Sequence, residues 1–248
     1  MSLLVIDLGN TRLKWGWHDS NGLHVGEPLV HKNADLDAWL TKNWSFPAAP
    51  ERVLMTSVAG ETLAGQLITF IQRQWHVIPE RIYSTAQLGT LKNAYTKPEQ
   101  LGSDRWVAMF EAYNSVKKNV CVIDCGTAVT IDAIDKSGQH LGGMIMPGFD
   151  AMLATLTAST QLSTANIEIP TEFAMATDTQ AAIVTGVSQS IGNLAARTLD
   201  WLQQRTGEPA ACFVTGGDGA RLSALLEHEH IVEADLVLKG LARIASET

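Results

Sequence analysis

"LLVIDLGNTRLKWGW", residues 3–17, is an apolar run that ends in Asp7 and turns at once through Gly9, Asn10 and Thr11. Alternating Leu13, Trp15 and Trp17 then resume a strand pattern. The reading is two strands, "LLVID" and "LKWGW", joined by a Gly9–Thr11 turn. The same shape recurs at residues 122–132, "VIDCGTAVTID". The shared frame, Val-Ile-Asp-x-Gly, makes the chain a pseudo-duplication. Two ordinary hairpins would also use Asp and Gly as turn residues, so the chemistry of the turns has to decide.

A carboxylate at the end of a buried strand costs desolvation unless a cation or hydrogen bonds compensate. Glycine after it lets backbone N–H groups approach a ligand closely. Oriented N–H groups in such turns form anion-binding hollows. Asn10, Thr11 and Thr127 add donors for phosphate oxygens, and Lys14 adds a positive charge. Asp7 or Asp124 can hold a hydrated Mg²⁺ that bridges phosphates. "FVTGGDG" puts Gly216-Gly217 between a strand and a helix, which suits close approach to a nucleotide base and ribose. G-x-G-x-x-G and G-x-x-x-x-G-K-[ST] are both absent, so neither a standard dinucleotide site nor a P-loop is expected.

The rest of the chain alternates strand and helix, which indicates an α/β fold. A strand ending in a glycine turn is expected at 52–60 and a helix at 61–75, with Leu63, Leu67, Phe70 and Ile71 on one face. A loop broken by Pro98 spans 94–102. A helix follows at 103–118, with Ser103 as N-cap and Lys117 and Lys118 closing it. A strand is expected at 141–149 and a helix at 150–162. The helical region at 177–207 is expected to break near Gly186 or Gly192. Strand, Gly-Gly turn and helix follow at 211–227, and a helix at 236–245. Asp132 reads as a turn acid, with an indirect role at a site left open. His228 and His230 read as a solvated helix end without a third metal ligand. The seven tryptophans read as packing, with Trp106 beside the site.

With 248 residues, 46% of them apolar, the chain supports one large or two smaller domains. A net charge of -8 argues against general nucleic-acid binding, which needs a basic face. No run of 18 apolar residues suggests a membrane span, and no signal peptide is expected. Cys121 and Cys125, if on one strand, stand about 13 Å apart at about 3.3 Å per residue and cannot bond each other. With Cys212 they make an odd count, so a reduced, cytoplasmic protein is expected.

The three turns together resemble the phosphate 1, phosphate 2 and adenosine elements of the actin, hexokinase and Hsp70 superfamily. Within it, "DLGNTRLKW", "YTKPEQLGSDRW", "VIDCGTAVTID", "LGGMIMPG" and "FVTGGD" resemble the type III pantothenate kinases along nearly the whole chain. That resemblance implies two ribonuclease H-like domains, drawn here at 1–115 and 116–248, with the active site in the cleft between them. It implies ATP-dependent phosphorylation of pantothenate, the first step of coenzyme A synthesis, with Mg²⁺ accompanying ATP. A monovalent cation, K⁺ or NH₄⁺, and a homodimer are implied too. By position, Asp7, Leu8, Gly9, Asn10, Thr11, Arg12, Leu13 and Lys14 match the first phosphate element, and Thr127 an ATP contact. Asp104 matches the general base. Tyr95, Gly102, Ser103, Asp104, Arg105 and Thr179 match pantothenate contacts, and Asp124 the monovalent-cation ligand. Ser103 stands where the family often has alanine. Arg105 is then the candidate clamp for the pantothenate carboxylate, since a guanidinium fork matches it bidentately. Two other readings remain at this stage. One is a phosphatase or polyphosphate hydrolase of the same superfamily; the other is a non-catalytic regulator built on a nucleotide fold.

Overall fold

The computed structural model of the chain describes residues 2–32, 34–44, 46, 48–158 and 174–247. In chain order the first elements are β1 (Leu3–Leu8), β2 (Arg12–Asp19), β3 (Gly22–Val25), β4 (Leu29–Val30), α1 (Leu36–Asn43), β5 (Arg52–Ser57), α2 (Glu61–Trp75) and β6 (Glu80–Arg81). A small hairpin, β7 (Gln87–Leu88) and β8 (Leu91–Lys92), and a 3₁₀ turn at Pro98–Gln100 lead into α3 (Ser103–Val116). The second series is β9 (Val120–Cys125), β10 (Ala128–Ile134), β11 (His140–Pro147), α4 (Phe149–Thr157), α5 (Thr179–Thr206), β12 (Ala211–Thr215), α6 (Gly219–Ser223), β13 (His230–Val232) and α7 (Leu236–Glu247). The helix expected at 150–162 thus begins at Phe149; its residues 159–162 lie outside the described residues.

The chain forms two compact units. One comprises Met1–Thr85, Lys97–Glu111 and Asp235–Thr248; the other comprises Ala86–Thr96 and Ala112–Ala234. A division at 115/116 differs from this in three ways, the first being that the change of unit within α3 falls after Glu111. The β7–β8 hairpin belongs to the second unit, and α7 belongs to the first. Sequence order alone does not reveal that a late helix completes an early sheet.

In the first unit the strands run β3-β2-β1-β5-β6, with β4 paired to β2. β1 is antiparallel to β2 and parallel to β5. Successive strand residues face opposite ways. Leu4, Ile6 and Leu8 therefore share one core with Val53, Met55 and the buried residues Leu40, Ala64, Leu67, Phe70 and Ile71 of α1 and α2. Trp15, Trp44 and Trp75 extend that core as an aromatic cluster, with ring centroids 5.8 and 5.9 Å apart along the chain of contacts. Leu3, Val5 and Leu54 face the other way and are fully buried. That face is covered by α7, which packs on β1, β2 and β5. Burying each such Leu or Val side chain stabilises the unit by about 1.5–3 kcal/mol. α7 also lies tight against α3: a Cβ at Gly240 would stand 2.6 Å from the Val107 carbonyl oxygen. Arg243 then grips Glu111 of α3 through two bonds of 2.6 and 3.0 Å.

The second unit repeats the plan: its order is β11-β10-β9-β12-β13, with β9 antiparallel to β10 and parallel to β12. Cys121, Ile123 and Cys125 of β9 pack with Val129, Ile131, Cys212, Val214 and the α5 residues Val187, Ile191, Ala195, Leu199 and Leu202. The duplication seen in two short turns therefore extends through both sheets. α5 runs unbroken through Gly186 and Gly192, contrary to the expected break. A glycine costs a helix about 0.5–1 kcal/mol against alanine, and burial of one face over 28 residues outweighs two of them. Gly192 also has a packing reason, since a Cβ there would meet the Leu225 side chain at 3.2 Å.

β10 and β11 shift register between Ala133 and Ile134: Ala133 pairs with Gly142, but Ile134 pairs with His140. Leu141 is thus an extra residue, a β-bulge, and Gly142 takes φ +115° beside it. Asp132 lies in the middle of β10, 1% exposed, and is not a turn acid. His228 lies on the approach to β13 and His230 is its first residue, so neither is at a helix end. His228 meets Asp200 and His230 meets Ser223. No group of three or more His, Cys, Asp and Glu among the described residues is placed to hold a metal. Among them, too, no helix is long and apolar enough to cross a membrane.

Candidate active site

Each sheet carries its Asp-x-Gly turn on the central strand. In the first unit Asp7 is opposite Lys14 on β2 and Thr56 on β5, so the three side chains form one row on the face away from Leu4, Ile6 and Leu8. In the second, Asp124 is opposite Thr130 and Thr215, again on the face away from the main core. Both carboxylates are half-buried at a strand end. An aspartate flanked by polar residues on one sheet face is a place where a cation or phosphate can be met without opening the core.

The turns are similar but not equal. Leu8 pairs with Leu13 and Cys125 pairs with Val129, so the second turn is one residue shorter. The Gly9 N–H donates to Arg12 O at 3.0 Å and the Gly126 N–H to Ala128 O at 2.9 Å. In the first turn Asn10 and Arg12 are exposed, Gly9, Thr11 and Lys14 are half-buried, and Leu8 and Leu13 belong to the core. Thr127 is exposed in the second.

Each turn is braced by a later segment. His31 donates its backbone N–H to Thr11 O at 3.2 Å, and its Nε2 lies 2.8 Å from Gly9 O. The Gly148 N–H donates to Thr127 O at 3.0 Å, and a Cβ at Gly148 would stand 2.1 Å from Gly126 O. Neither residue carries a role that its local sequence announces. A lone histidine in "VHKN" carries no motif, and Gly148 only looked like the end of a strand.

Gly216 has φ +89°, and a Cβ there would meet Cys125 O at 2.3 Å and Asp124 Oδ1 at 2.4 Å. Only glycine fits, and the Gly216-Gly217 turn closes directly over the end of β9. The Asp218 N–H then donates to Cys125 O at 2.9 Å. Burial, with Asp124 and Asp218 nearby, pushes the Cys125 thiol far up, so it stays protonated and is a poor nucleophile.

Gly102 to Arg105 open α3. The Trp106 N–H donates to Gly102 O at 3.0 Å, which makes Gly102 the residue ahead of the first turn. Ser103 is not the N-cap. Its hydroxyl instead accepts from Thr56 Oγ1 and lies 3.4 Å from Ser57 O, fastening the helix start to β5. Asp104 is half-buried; a Cβ at Gly102 would stand 2.6 Å from its Oδ1, so glycine leaves that carboxylate its space. Arg105 is 7% exposed and Trp106 fully buried. Within this unit, Asp7, Thr56 and Ser103 link the first turn to the helix that bears Asp104.

Tyr95 is half-buried in the second unit and stacks on His140, with centroids 6.0 Å apart and planes 15° apart. Thr179 is the exposed first residue of α5, after the Asp178 cap. With Leu156, Ile183 and Val187 it lines a recess of about 470 Å³.

Two sheets of one strand order, each with an Asp-x-Gly turn on its central strand, define the ATPase fold shared by actin, hexokinase and Hsp70. A ROK family glucokinase from Streptomyces griseus, solved with glucose and AMPPNP, superposes with a TM-score of 0.57 at 12% identity, covering 100% of each chain. A Campylobacter jejuni protein named for the Baf family of transcriptional activators superposes with a TM-score of 0.65 at 23% identity over 98% of each chain. Both likenesses are of fold. The chain belongs to the type III pantothenate kinase family, whose profile matches residues 3–200. It is 37% identical to the type III pantothenate kinase of Methylibium petroleiphilum over 100% of this chain and 99% of that one. To that of Polaromonas sp. strain JS666 it is 34% identical over 99% and 98%.

Proposed function

We propose that the protein transfers the γ-phosphoryl group of ATP to the primary hydroxyl of pantothenate, the first step of coenzyme A synthesis. Family membership along the whole chain supports the reaction. The observation that carries the division of labour is the Asp7–Thr56–Ser103 linkage in the first unit. It fixes the phosphate turn and the helix start bearing Asp104 to one strand pair. Phosphoryl transfer asks a protein mainly to position groups and stabilise charge, and such rigidity serves both.

Asp104 Oδ accepts the proton of the substrate hydroxyl. It sits in the first turn of α3, where the helix N-terminus favours negative charge. Arg105 holds the pantothenate carboxylate, and Gly102, Ser103, Tyr95 and Thr179 are the further pantothenate contacts of this reading. The loop Asp7–Lys14 and Thr127 take the phosphates, and Gly216-Gly217 the adenosine. The residues fit the metal partners of such a reaction. Asp7 is a carboxylate suited to Mg²⁺, which takes few protein ligands and keeps waters. Around Asp124 the donors are oxygens, namely its carboxylate and Cys125 O beside the Gly216 turn, a set suited to a hard cation such as K⁺ or NH₄⁺. When bound, the cations supply neutralisation of phosphate charge. A homodimer in the cytoplasm is part of the same reading, and the three free, buried cysteines suit a reducing compartment.

The test is an ADP-release assay with ATP alone, with pantothenate, and with pantothenate plus K⁺, together with the Asp104→Asn variant. ADP release that needs pantothenate, rises with K⁺ and drops about 10²-fold or more in Asp104→Asn is expected, the usual scale of a lost general base. Equal release without pantothenate would establish a hydrolase instead, and no release in any condition a regulator.

A further inference from the structure

We infer that the buried pair Asp132–His140 is a positioning device for Tyr95, and through it sets how well pantothenate is bound. The inference rests on Tyr95 being part of the pantothenate pocket. His140 and Asp132 are each 1% exposed. His140 Nε2 lies 3.1 Å from Asp132 Oδ1, and its Nδ1 receives the backbone N–H of Ala94 at 3.4 Å. A backbone N–H can only donate, so Nδ1 carries the lone pair and Nε2 the hydrogen. Both ring nitrogens are thus engaged, Nε2 with the carboxylate and Nδ1 with the residue next to Tyr95. The flat face of the same ring stacks on Tyr95.

The segment before Tyr95 is tied to the same place. Lys92 N–H donates to Gly138 O at 2.8 Å, and Asn93 Oδ1 receives the Tyr95 N–H at 2.9 Å. Residues 92–95 therefore lie along the β10–β11 connection, and His140 touches them with both an edge and a face. The bulge makes this possible. Without Leu141 as an extra residue, continuing the Ala133–Gly142 pairing would put Leu141 opposite Ile134 and turn His140 to the other face. With it, His140 sits opposite Ile134, on the face of Asp132 and diagonal to it. A bulge that re-aims one side chain at a buried acid, with that side chain stacked on a loop tyrosine, is a specific arrangement that simple core packing does not require. It holds Tyr95 ready, so that substrate binding need not order the loop.

The test is steady-state kinetics with each substrate varied, on Tyr95→Ala, His140→Ala and the double variant, with thermal melts alongside. Tyr95→Ala and His140→Ala are each expected to raise the pantothenate KM about three- to tenfold, the scale of ordering a loose side chain on binding. For His140→Ala the ATP KM and the kcat at saturating pantothenate should stay within about twofold. Because His140 acts through Tyr95, the double variant should be no worse than Tyr95→Ala. Should His140→Ala melt below the assay temperature, His140→Gln keeps an amide donor for Asp132, loses the stack, and is expected to show the same KM split. If Tyr95→Ala raises the pantothenate KM while the His140 variants do not, or if the two effects multiply, the positioning role is wrong and the pocket reading stands. If His140→Ala lowers kcat and shifts both KM values alike, the pair is structural only. If Tyr95→Ala leaves the pantothenate KM unchanged, both readings fall.

Discussion

Replacing Gly148 by alanine should damage the second phosphate turn selectively. Its backbone, φ -70° and ψ 174°, is open to any residue, so the effect is steric and not conformational. The new Cβ would sit 2.1 Å from Gly126 O and 2.9 Å from Thr127 O, both backbone atoms that no rotamer change can move aside. Relief needs the turn and the end of β11 to part by more than 1 Å, which breaks the Gly148 N–H bond to Thr127 O. Overpacking of this kind costs about 1–3 kcal/mol, and the lost bond adds about 1 kcal/mol. At about 2–4 °C per kcal/mol for a chain of this size, the melting temperature should fall by roughly 4–16 °C. The displaced residue is Thr127, so the ATP KM should rise about tenfold or more while the pantothenate KM changes little. A thermal melt and an ADP-release assay with each substrate varied measure both. A variant with wild-type melting and wild-type ATP KM would show that the turn is not braced by Gly148 and that Thr127 is not where ATP is held.

Arg105→Lys should raise the pantothenate KM well beyond any change in the ATP KM, because an ammonium cannot form two parallel bonds to a carboxylate; equal changes in the two constants would remove Arg105 as the clamp. Gly65→Ala, in an exposed position inside α2 with nothing within 4 Å of the added methyl, should stabilise the protein by about 0.5–1 kcal/mol, and a chemical melt showing destabilisation would contradict the helix described. Cys121, Cys125 and Cys212 are buried with their thiols pushed up, Cys212 to about 12. Native protein at pH 8 should therefore resist alkylation that goes to completion in denaturant. Stability should also decline above about pH 8.5, where the unfolded chain sheds thiol protons that the folded chain keeps; rapid native labelling would refute the burial.

What the sequence revealed came from local patterns that the fold did not override. The stretch 61–75 is helical with the expected apolar face, because Leu67, Phe70 and Ile71 fall on one side at helical spacing. The two Asp-x-Gly turns were visible because a carboxylate in an apolar run is rare enough to stand out. Other features depend on partners far along the chain. Ser103 looks like a cap until Thr56 is seen to take its hydroxyl. Asp132 looks like a turn acid until the bulge at Leu141 brings His140 to it. The unbroken α5 depends on a buried face that two glycines inside it do not advertise. His31, which braces the first turn, had no local signal at all.

The assignment of α7 to the first unit has a consequence for synthesis. During translation the strands β1, β2 and β5 emerge early, yet α7, which packs on them, is complete only when residues 236–247 are made. At about 5–20 residues per second, those strands wait for α7 roughly 10–40 s after β5 has been made. The second unit draws nothing from 235–248, so it can close first even though most of it is translated later. Nascent chains stalled before residue 235 should then hold a protease-resistant second sheet beside an unfinished first one, and they should be the species that chaperones bind.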